Sequence, residues 1–353
     1  MKQWLAQLPK AELHVHLDGS LRWETVAELA EQLPANRRFP DGFDLRAEVI
    51  PPKRATLEEY LRSFDAVLPL LQTPAALERA AFELGVDAAR DGLIYIEVRF
   101  APLLHTELGM KPREVVQSVL RGLEQAEQET TIRTGLLLTG LKQEPTERSM
   151  EVAQLTAQFR NRGVVGFDLA GPEKLYPPLL HRRVIEFARA AGVHVTLHAG
   201  EGCCPEQVRE AVDLGAERIG HGVFLCRDPE TQKRVAEQRI PLEVCPTSNL
   251  QIADFIDSYT DHPMAGYHEA GIPITLNTDN RLMSQIDLTH EYVAIAEAFS
   301  YDRATMAQFA ANGINAAFVD DDTRQKLKAQ LADYLVSTDV QLPSGYEATS
   351  NLP

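Results

Sequence analysis

The feature that most limits what this chain can fold into is a rhythm. Apolar, β-branched runs recur along it, and helical patterns separate most of them. Candidate strands cover Glu12–His16, Leu93–Phe100, Ile132–Thr139, Val164–Leu169, Val193–His198, Arg218–Gly222, Pro241–Cys245 and Ile274–Asp279. Eight such βα units, in a chain of roughly 250 to 350 residues, predict an α/β protein built as a (β/α)8 TIM barrel. An open doubly wound sheet is the alternative, and against it no glycine-rich phosphate loop follows the first strand.

Extra helices are expected after strand 1 and at the C-terminus. A helix near Trp23–Gln32 precedes a proline-marked excursion from Pro34 to Pro52. Thr56 and Glu59 fit a capping box that opens a second helix. Thr73-Pro74 opens a third, which Gly92 closes. The insertion from about Trp23 to Arg90 is placed to form a lid over the barrel mouth. Further helices are expected at Pro112–Glu129 and between Asp287 and Leu335. Residues 1–336 read as a single domain, and 337–353 as a loosely ordered tail with little periodicity.

With 44% hydrophobic and 24% charged residues over 353 positions, the chain has ordinary globular composition and can bury a large core. The net charge of −16 argues against sequence-independent binding of nucleic acid through a basic face. No apolar run reaches the length of a membrane span. The N-terminus has no signal-peptide layout. Cys203, Cys204, Cys226 and Cys245 show no C-x-x-C pair, so a reduced, cytoplasmic protein is expected. The vicinal Cys203-Cys204 reads as a tight turn of small residues, with a redox role as the alternative.

Within the rhythm, His14-Val15-His16 stands out. Residues two apart on a strand point to one face, so both imidazoles can converge on a divalent cation. In such barrels the chemistry sits at the C-terminal strand ends. Strand 5 ends in His198-Ala199-Gly200-Glu201, strand 6 in Gly220-His221-Gly222, and strand 8 in Thr278-Asp279-Asn280. Histidines and carboxylates gathered from separate strand ends are the ligand types of a catalytic zinc.

The runs Lys10–Gly19, Val165–Gly171, His198–Glu201, Gly220–Gly222 and Leu276–Asp279 resemble those of the adenosine deaminase-like family, in the amidohydrolase superfamily. The similarity extends from residue 8 to about 335. It implies one zinc ion per chain, held by His14, His16, His198 and Asp279, with water or hydroxide in the remaining position. It implies Glu201 as proton donor to purine N1, and His221 as the residue that orients and deprotonates the water. Asp279 would also accept a hydrogen bond from that water. Gly171 matches a backbone donor to N3, and Asp18 a contact to the ribose hydroxyls. The chemistry agrees: zinc lowers the pKa of bound water to about 7, and attack at C6 requires a proton at N1, which a carboxyl kept neutral by burial can give.

Leu57, Tyr60, Leu61 and Phe64 form a helical stripe that reads as ordinary core. The resemblance adds Tyr60 and Phe64 as lid residues over the substrate. His105, His181, His194, His262, His268 and His290 match no motif and are expected to be structural or exposed. Two departures stand out. Asn280 replaces an aspartate found in many family members; its amide can donate to purine N7. Ile252–Phe255 differs from a Thr-Gly-Ala run common in the family. The expected partner is a small purine nucleoside, adenosine or 2′-deoxyadenosine, with another 6-aminopurine compound such as 6-aminodeoxyfutalosine or adenine as the alternative. A metal phosphoesterase and a non-catalytic zinc-stabilised protein are the remaining readings. The end of strand 4 offers no lysine to bridge two metals, and a structural zinc requires neither Glu201 nor His221. The oligomeric state is not legible in the sequence.

Overall fold

The computed structural model describes residues 1–342. Its strands are β1 (Lys10–His16), β2 (Leu93–Phe100), β3 (Arg133–Leu141), β4 (Val164–Ala170), β5 (His194–Ala199), β6 (Arg218–His221), β7 (Leu242–Val244) and β8 (Ile274–Leu276). They form one sheet in the order of the sequence, each parallel to the next. With helices in the connections, this is the expected (β/α)8 barrel.

The outward positions are apolar. Val195, Leu197 and Ala199 of β5, and Val165, Phe167 and Leu169 of β4, alternate with residues that face the interior. The interior is more charged than the branched aliphatic filling usual for this fold. Arg99 of β2 and Arg218 of β6 are fully buried among Glu97, Asp168 and Glu243. Such charges are tolerated only when paired.

The seam between β1 and β8 differs from the sequence reading. Regular pairing in β8 stops at Leu276, not Asp279. Side chains replace the ladder beyond that point. Leu13 N–H donates to Asn277 Oδ1 at 2.8 Å, and Thr278 N–H to Glu12 Oε1 at 2.9 Å. A single bridge, Val15 to Asp279, then closes the barrel.

The insertion after β1 also divides in a way the sequence did not indicate. Its last helix, Pro74–Arg90, is the ordinary crossover to β2 and packs on the helix Pro112–Glu129. Only the short helices Leu57–Leu61 and Phe64–Val67 cover the barrel mouth. There Tyr60 is buried with Leu57, Ile252 and Met283, and Leu61 and Phe64 pack against them. Thr56 and Glu59 form the expected capping box.

One hydrophobic cluster runs from Trp4 to Leu335. The last helix ends at Ser337, and Val340 and Leu342 still pack against the core. The remainder of the expected tail, 343–353, lies outside the described residues. Among the described residues no helix is long and apolar enough to cross a membrane. Cys203 and Cys204 are joined by a disulfide, contrary to the expectation of unpaired cysteines. They lie in a tight turn whose second residue, Cys204, has φ +62°.

The seam can be tested through Glu12, whose second carboxylate oxygen pairs with the buried Arg281. Glu12→Gln keeps an acceptor for Thr278 but removes the charge. It should lower stability by about 3 kcal/mol, because it leaves a buried guanidinium with only Asp91, 3.8 Å away. An unchanged melting temperature would show that the seam is held elsewhere.

Candidate metal and active site

The C-terminal strand ends bring the expected residues together. His16 Nε2 lies 3.2 Å from His198 Nε2 and 3.4 Å from Asp279 Oδ1. His14 Nε2 lies 3.6 Å from the same oxygen. One ligand atom from each of His14, His16, His198 and Asp279 falls within 4.8 Å of the others. Two of the rings are held from behind. His14 Nδ1 donates to Glu243 Oε2 at 2.9 Å, and His198 Nδ1 to Asp168 Oδ1 at 3.0 Å. A carboxylate at Nδ1 leaves the Nε2 lone pair free and aimed at the cluster. Buried His14 Nε2 has no hydrogen-bond partner among the protein atoms. An orphaned lone pair facing two imidazoles and a carboxylate fits a cation.

Protonation follows from burial. Burial pulls His16 down to about 3, so its imidazole is neutral at ordinary pH. Burial would raise Asp279, but the close-set rings of His14, His221 and His16 hold it far below the usual carboxylate range. Ser248 Oγ also donates to Asp279 Oδ2 at 2.6 Å. The backbone is strained here: His221 has φ +64° and Asp279 φ +62°. Non-glycine residues in this region cost about 1–3 kcal/mol each and gather at functional sites.

Glu201 and His221 stand beside the cluster, with Glu201 Oε1 3.6 Å from His221 Nε2. Burial, reinforced by Asp279 and Glu173, pushes the Glu201 carboxyl well above its ordinary value, which favours the neutral acid. Its backbone N–H donates to Glu173 Oε2 at 3.0 Å, and Lys142 Nζ contacts Glu173 Oε1 at 3.3 Å. Burial, then His14, pulls His221 far down. Its Nδ1 lies 3.0 Å from Asn249 Nδ2, and Asn249 Oδ1 lies 3.1 Å from His262 Nε2.

The other predicted residues rim this centre. Asp18 follows β1 and is buried; its Oδ1 has no partner, and its Oδ2 is 3.6 Å from His105 Nε2. Asn280 is buried with its Oδ1 unpartnered. Gly19 makes room for it, since a Cβ there would overlap Asn280 Oδ1. Gly171 follows β4 at φ +121°, where a side chain would be strained and would strike Gln143. The Phe64 ring stands edge-on to His16, centroids 6.2 Å apart, while Tyr60 is core. A cleft of about 770 Å³ elsewhere, lined by Arg22, Trp23, Arg46, Asp87 and Arg281 among others, includes none of the predicted site residues.

Several residues with a hand in this geometry escaped the sequence reading. Asp168 lies inside the Val165–Gly171 run, but no role attached to it, and none attached to Ser248 or Asn249. Glu243 gave one usable signal, a charge in the middle of an apolar strand. Lys142, Glu173 and His262 gave none, because they reach the site only through the fold.

A parallel barrel whose strand ends gather three imidazoles and a carboxylate defines the class: the metal-dependent hydrolases of the amidohydrolase type. The particular family follows from comparison. The chain belongs to the adenosine deaminase family, whose model matches residues 9–334. It is 40% identical to an adenosine deaminase of Enterococcus faecalis over 327 residues, 92% of this chain and 96% of that one. It is 37% identical to an adenosine deaminase of Vibrio vulnificus over 324 residues, 91% and 97% of the two chains. Among solved structures it resembles Arabidopsis ADAL complexed with IMP (TM-score 0.87, 29% identity, 95% and 99% coverage). It also resembles an adenine deaminase from Arthrobacter aurescens (TM-score 0.85, 26% identity, 93% and 99% coverage). A third is an amidohydrolase from Burkholderia ambifaria with bound Zn (TM-score 0.86, 27% identity, 96% and 93% coverage). The protein is therefore an aminohydrolase of a metal-dependent family.

Asp168→Asn should keep the barrel folded and weaken metal binding about 10- to 100-fold, because His198 loses the carboxylate that orients it. Competition against a chelator measures this. An unchanged affinity would show that His198 needs no such support.

Proposed function

We propose that the protein hydrolyses adenosine and 2′-deoxyadenosine to inosine and 2′-deoxyinosine with release of ammonia. We assign the reaction to one catalytic domain, residues 1–336, in the cytoplasm. The observation that carries the reading is Glu201. A buried carboxyl whose neutral form is favoured, standing beside a cluster of lone pairs suited to a metal, is what protonation of a purine ring nitrogen requires.

His14, His16, His198 and Asp279 would hold one zinc ion, which when bound supplies a water ionised near neutral pH, at about 7. Histidine-rich, cysteine-free ligation and the zinc bound by the Burkholderia relative support that metal. His221 faces the attacking water and orients it. Glu201 gives its proton to N1 as electrons move off C6. The Gly171 N–H donates to N3, Asp18 holds the ribose hydroxyls, and Asn280 donates to N7. Tyr60 and Phe64 close the site over the base. The adenosine deaminases at 36–40% identity favour a nucleoside. The IMP complex and the adenine deaminase, at 26–29%, keep a nucleotide or a free base as the second reading.

An ammonia-release screen tests the substrate, using adenosine, deoxyadenosine, adenine, methylthioadenosine and aminodeoxyfutalosine. Faster turnover of any of the last three than of adenosine would overturn the assignment to adenosine and deoxyadenosine. Glu201→Gln tests the chemistry. It is near-isosteric and should retain the metal, yet lose at least about 10²-fold in kcat for want of a proton. Turnover within a few-fold of the parent would refute N1 protonation by Glu201.

Asn280 is separable from the chemistry by comparing adenosine with 7-deazaadenosine, in which carbon replaces N7. Asn280→Ala should impair adenosine and leave the analogue little changed, with a coupling of about 1 kcal/mol. Equal losses would assign Asn280 to the loop instead.

A further inference from the structure

A chain of hydrogen bonds behind His221 determines which of its nitrogens carries the proton. It begins at a donor that cannot be reassigned. The backbone N–H of Met264 points at His262 Nδ1, 3.1 Å away. His262 Nδ1 is therefore an acceptor. Burial pulls His262 down to about 3, so the ring is neutral and its one hydrogen sits on Nε2. That N–H donates to Asn249 Oδ1 at 3.1 Å. The carbonyl of Asn249 being engaged there, its NH2 faces His221 Nδ1 at 3.0 Å and donates to it.

The opposite amide orientation fails. It would aim the Asn249 NH2 at His262 Nε2, so that His262 had to accept at both nitrogens, which a neutral imidazole cannot do. His221, whose Nδ1 is occupied as an acceptor, thus bears its hydrogen on Nε2. That N–H has no partner among the protein atoms and stands beside Glu201 and the His/Asp cluster. The contrast with His14 and His198 is direct. Their Nδ1 atoms face carboxylates, which leaves Nε2 as a lone pair for a metal. The Nδ1 of His221 faces an amide donor, which leaves Nε2 as a donor.

We infer that His221 serves the reaction as a fixed hydrogen-bond donor and not as a base, and that Asn249 and His262 are positioning residues that hold it in this tautomer. The inference rests on the proposed place of His221 at the attacking water. Its Nε2–H donates to the attacking oxygen and stabilises the charge there. It has no lone pair free to take that oxygen's proton, and the ionised carboxylate of the cluster left to receive it is Asp279.

Two measurements test this on the zinc-loaded protein. NMR of nitrogen-labelled histidine in the parent reads the tautomers directly. A hydrogen on Nε2 of both His221 and His262 supports the inference, and a hydrogen on Nδ1 of His221 overturns it. Asn249→Asp then separates donor from base by the sign of its effect. A carboxylate can accept from both rings, so it turns the His221 proton onto Nδ1 and frees Nε2. If His221 is a donor, kcat falls about 10²- to 10⁴-fold at unchanged zinc content, as expected when a transition-state donor or the correct tautomer is lost. If His221 is a base, the new carboxylate–imidazole pair leaves activity equal or higher, and the inference is wrong. His221→Ala isolates the underlying reading: parent-like turnover would remove His221 from the reaction altogether. An inactive His221→Ala with an Nδ1–H parent would sink the donor role alone.

Discussion

Closure of the barrel and assembly of the His/Asp cluster are the same hydrogen bonds. Asp279 N–H donates to His14 C=O at 3.0 Å, and His16 N–H donates to Asp279 C=O at 2.7 Å. These two bonds are the Val15–Asp279 bridge that joins the last strand to the first. They also fix the carboxylate of Asp279 between the two imidazoles of β1. The left-handed φ of Asp279 costs about 1–3 kcal/mol. Two backbone hydrogen bonds offset it at about 0.5–1.5 kcal/mol each. A β8 that continued as a regular strand would avoid the strain, but would not turn the chain at the cluster in this way.

Behind the seam, a charged interior sorts side chains of one type into different protonation states. Glu243 is buried, which alone would raise its carboxyl, yet Arg99 and Arg218 hold it far below the ordinary range. It is therefore a permanent acceptor for His14, and also takes the hydroxyl of Thr196. Glu201 is equally buried but has no guanidinium beside it. Burial, then Asp279 and Glu173, push it upward, so its neutral form is favoured. Two glutamates in one barrel thus become an ionised anchor and a neutral acid through what packs against them. Tyr60 of the Leu57–Val67 segment packs beside Asp279 and Asn280, which are themselves buried.

The strands were legible because outward-facing β-branched residues recur on every one, and β2 falls at its expected limits, Leu93–Phe100. The cluster His14, His16, His198 and Asp279 was legible because barrel geometry turns strand ends into neighbours. What failed was local. β8 looked three residues longer than it is because nothing in the run Ile274–Asp279 marks where pairing stops; side chains of Glu12 and Asn277 replace the ladder only once β1 is beside them, and Asp279 then turns into the left-handed region. The helix Pro74–Arg90 looked like part of a cover because its small residues, Ala76, Ala80, Ala81 and Gly85, do not reveal which neighbour they lie against. His262 looked structural because its partner, Asn249, is thirteen residues away, on the helix Pro246–Ile252. No pattern of period or spacing marks a residue that acts through a second one.

Asn280 has a consequence for this balance of charge. The buried centre contains an ionised Asp279 and a neutral Glu201, and the raised carboxyl of Glu201 already owes part of its shift to Asp279. An aspartate at position 280, behind Gly19 and as deeply buried, would be a third carboxyl in the same low-dielectric space. Ionised, it would push Glu201 higher still; protonated, it could donate a hydrogen bond but would titrate together with Glu201. Asparagine donates the same hydrogen bond with no proton to lose. The protonation of Glu201 is then independent of position 280. The side chain at 280 can read the substrate, and the one at 201 can transfer a proton, without either altering the charge of the other.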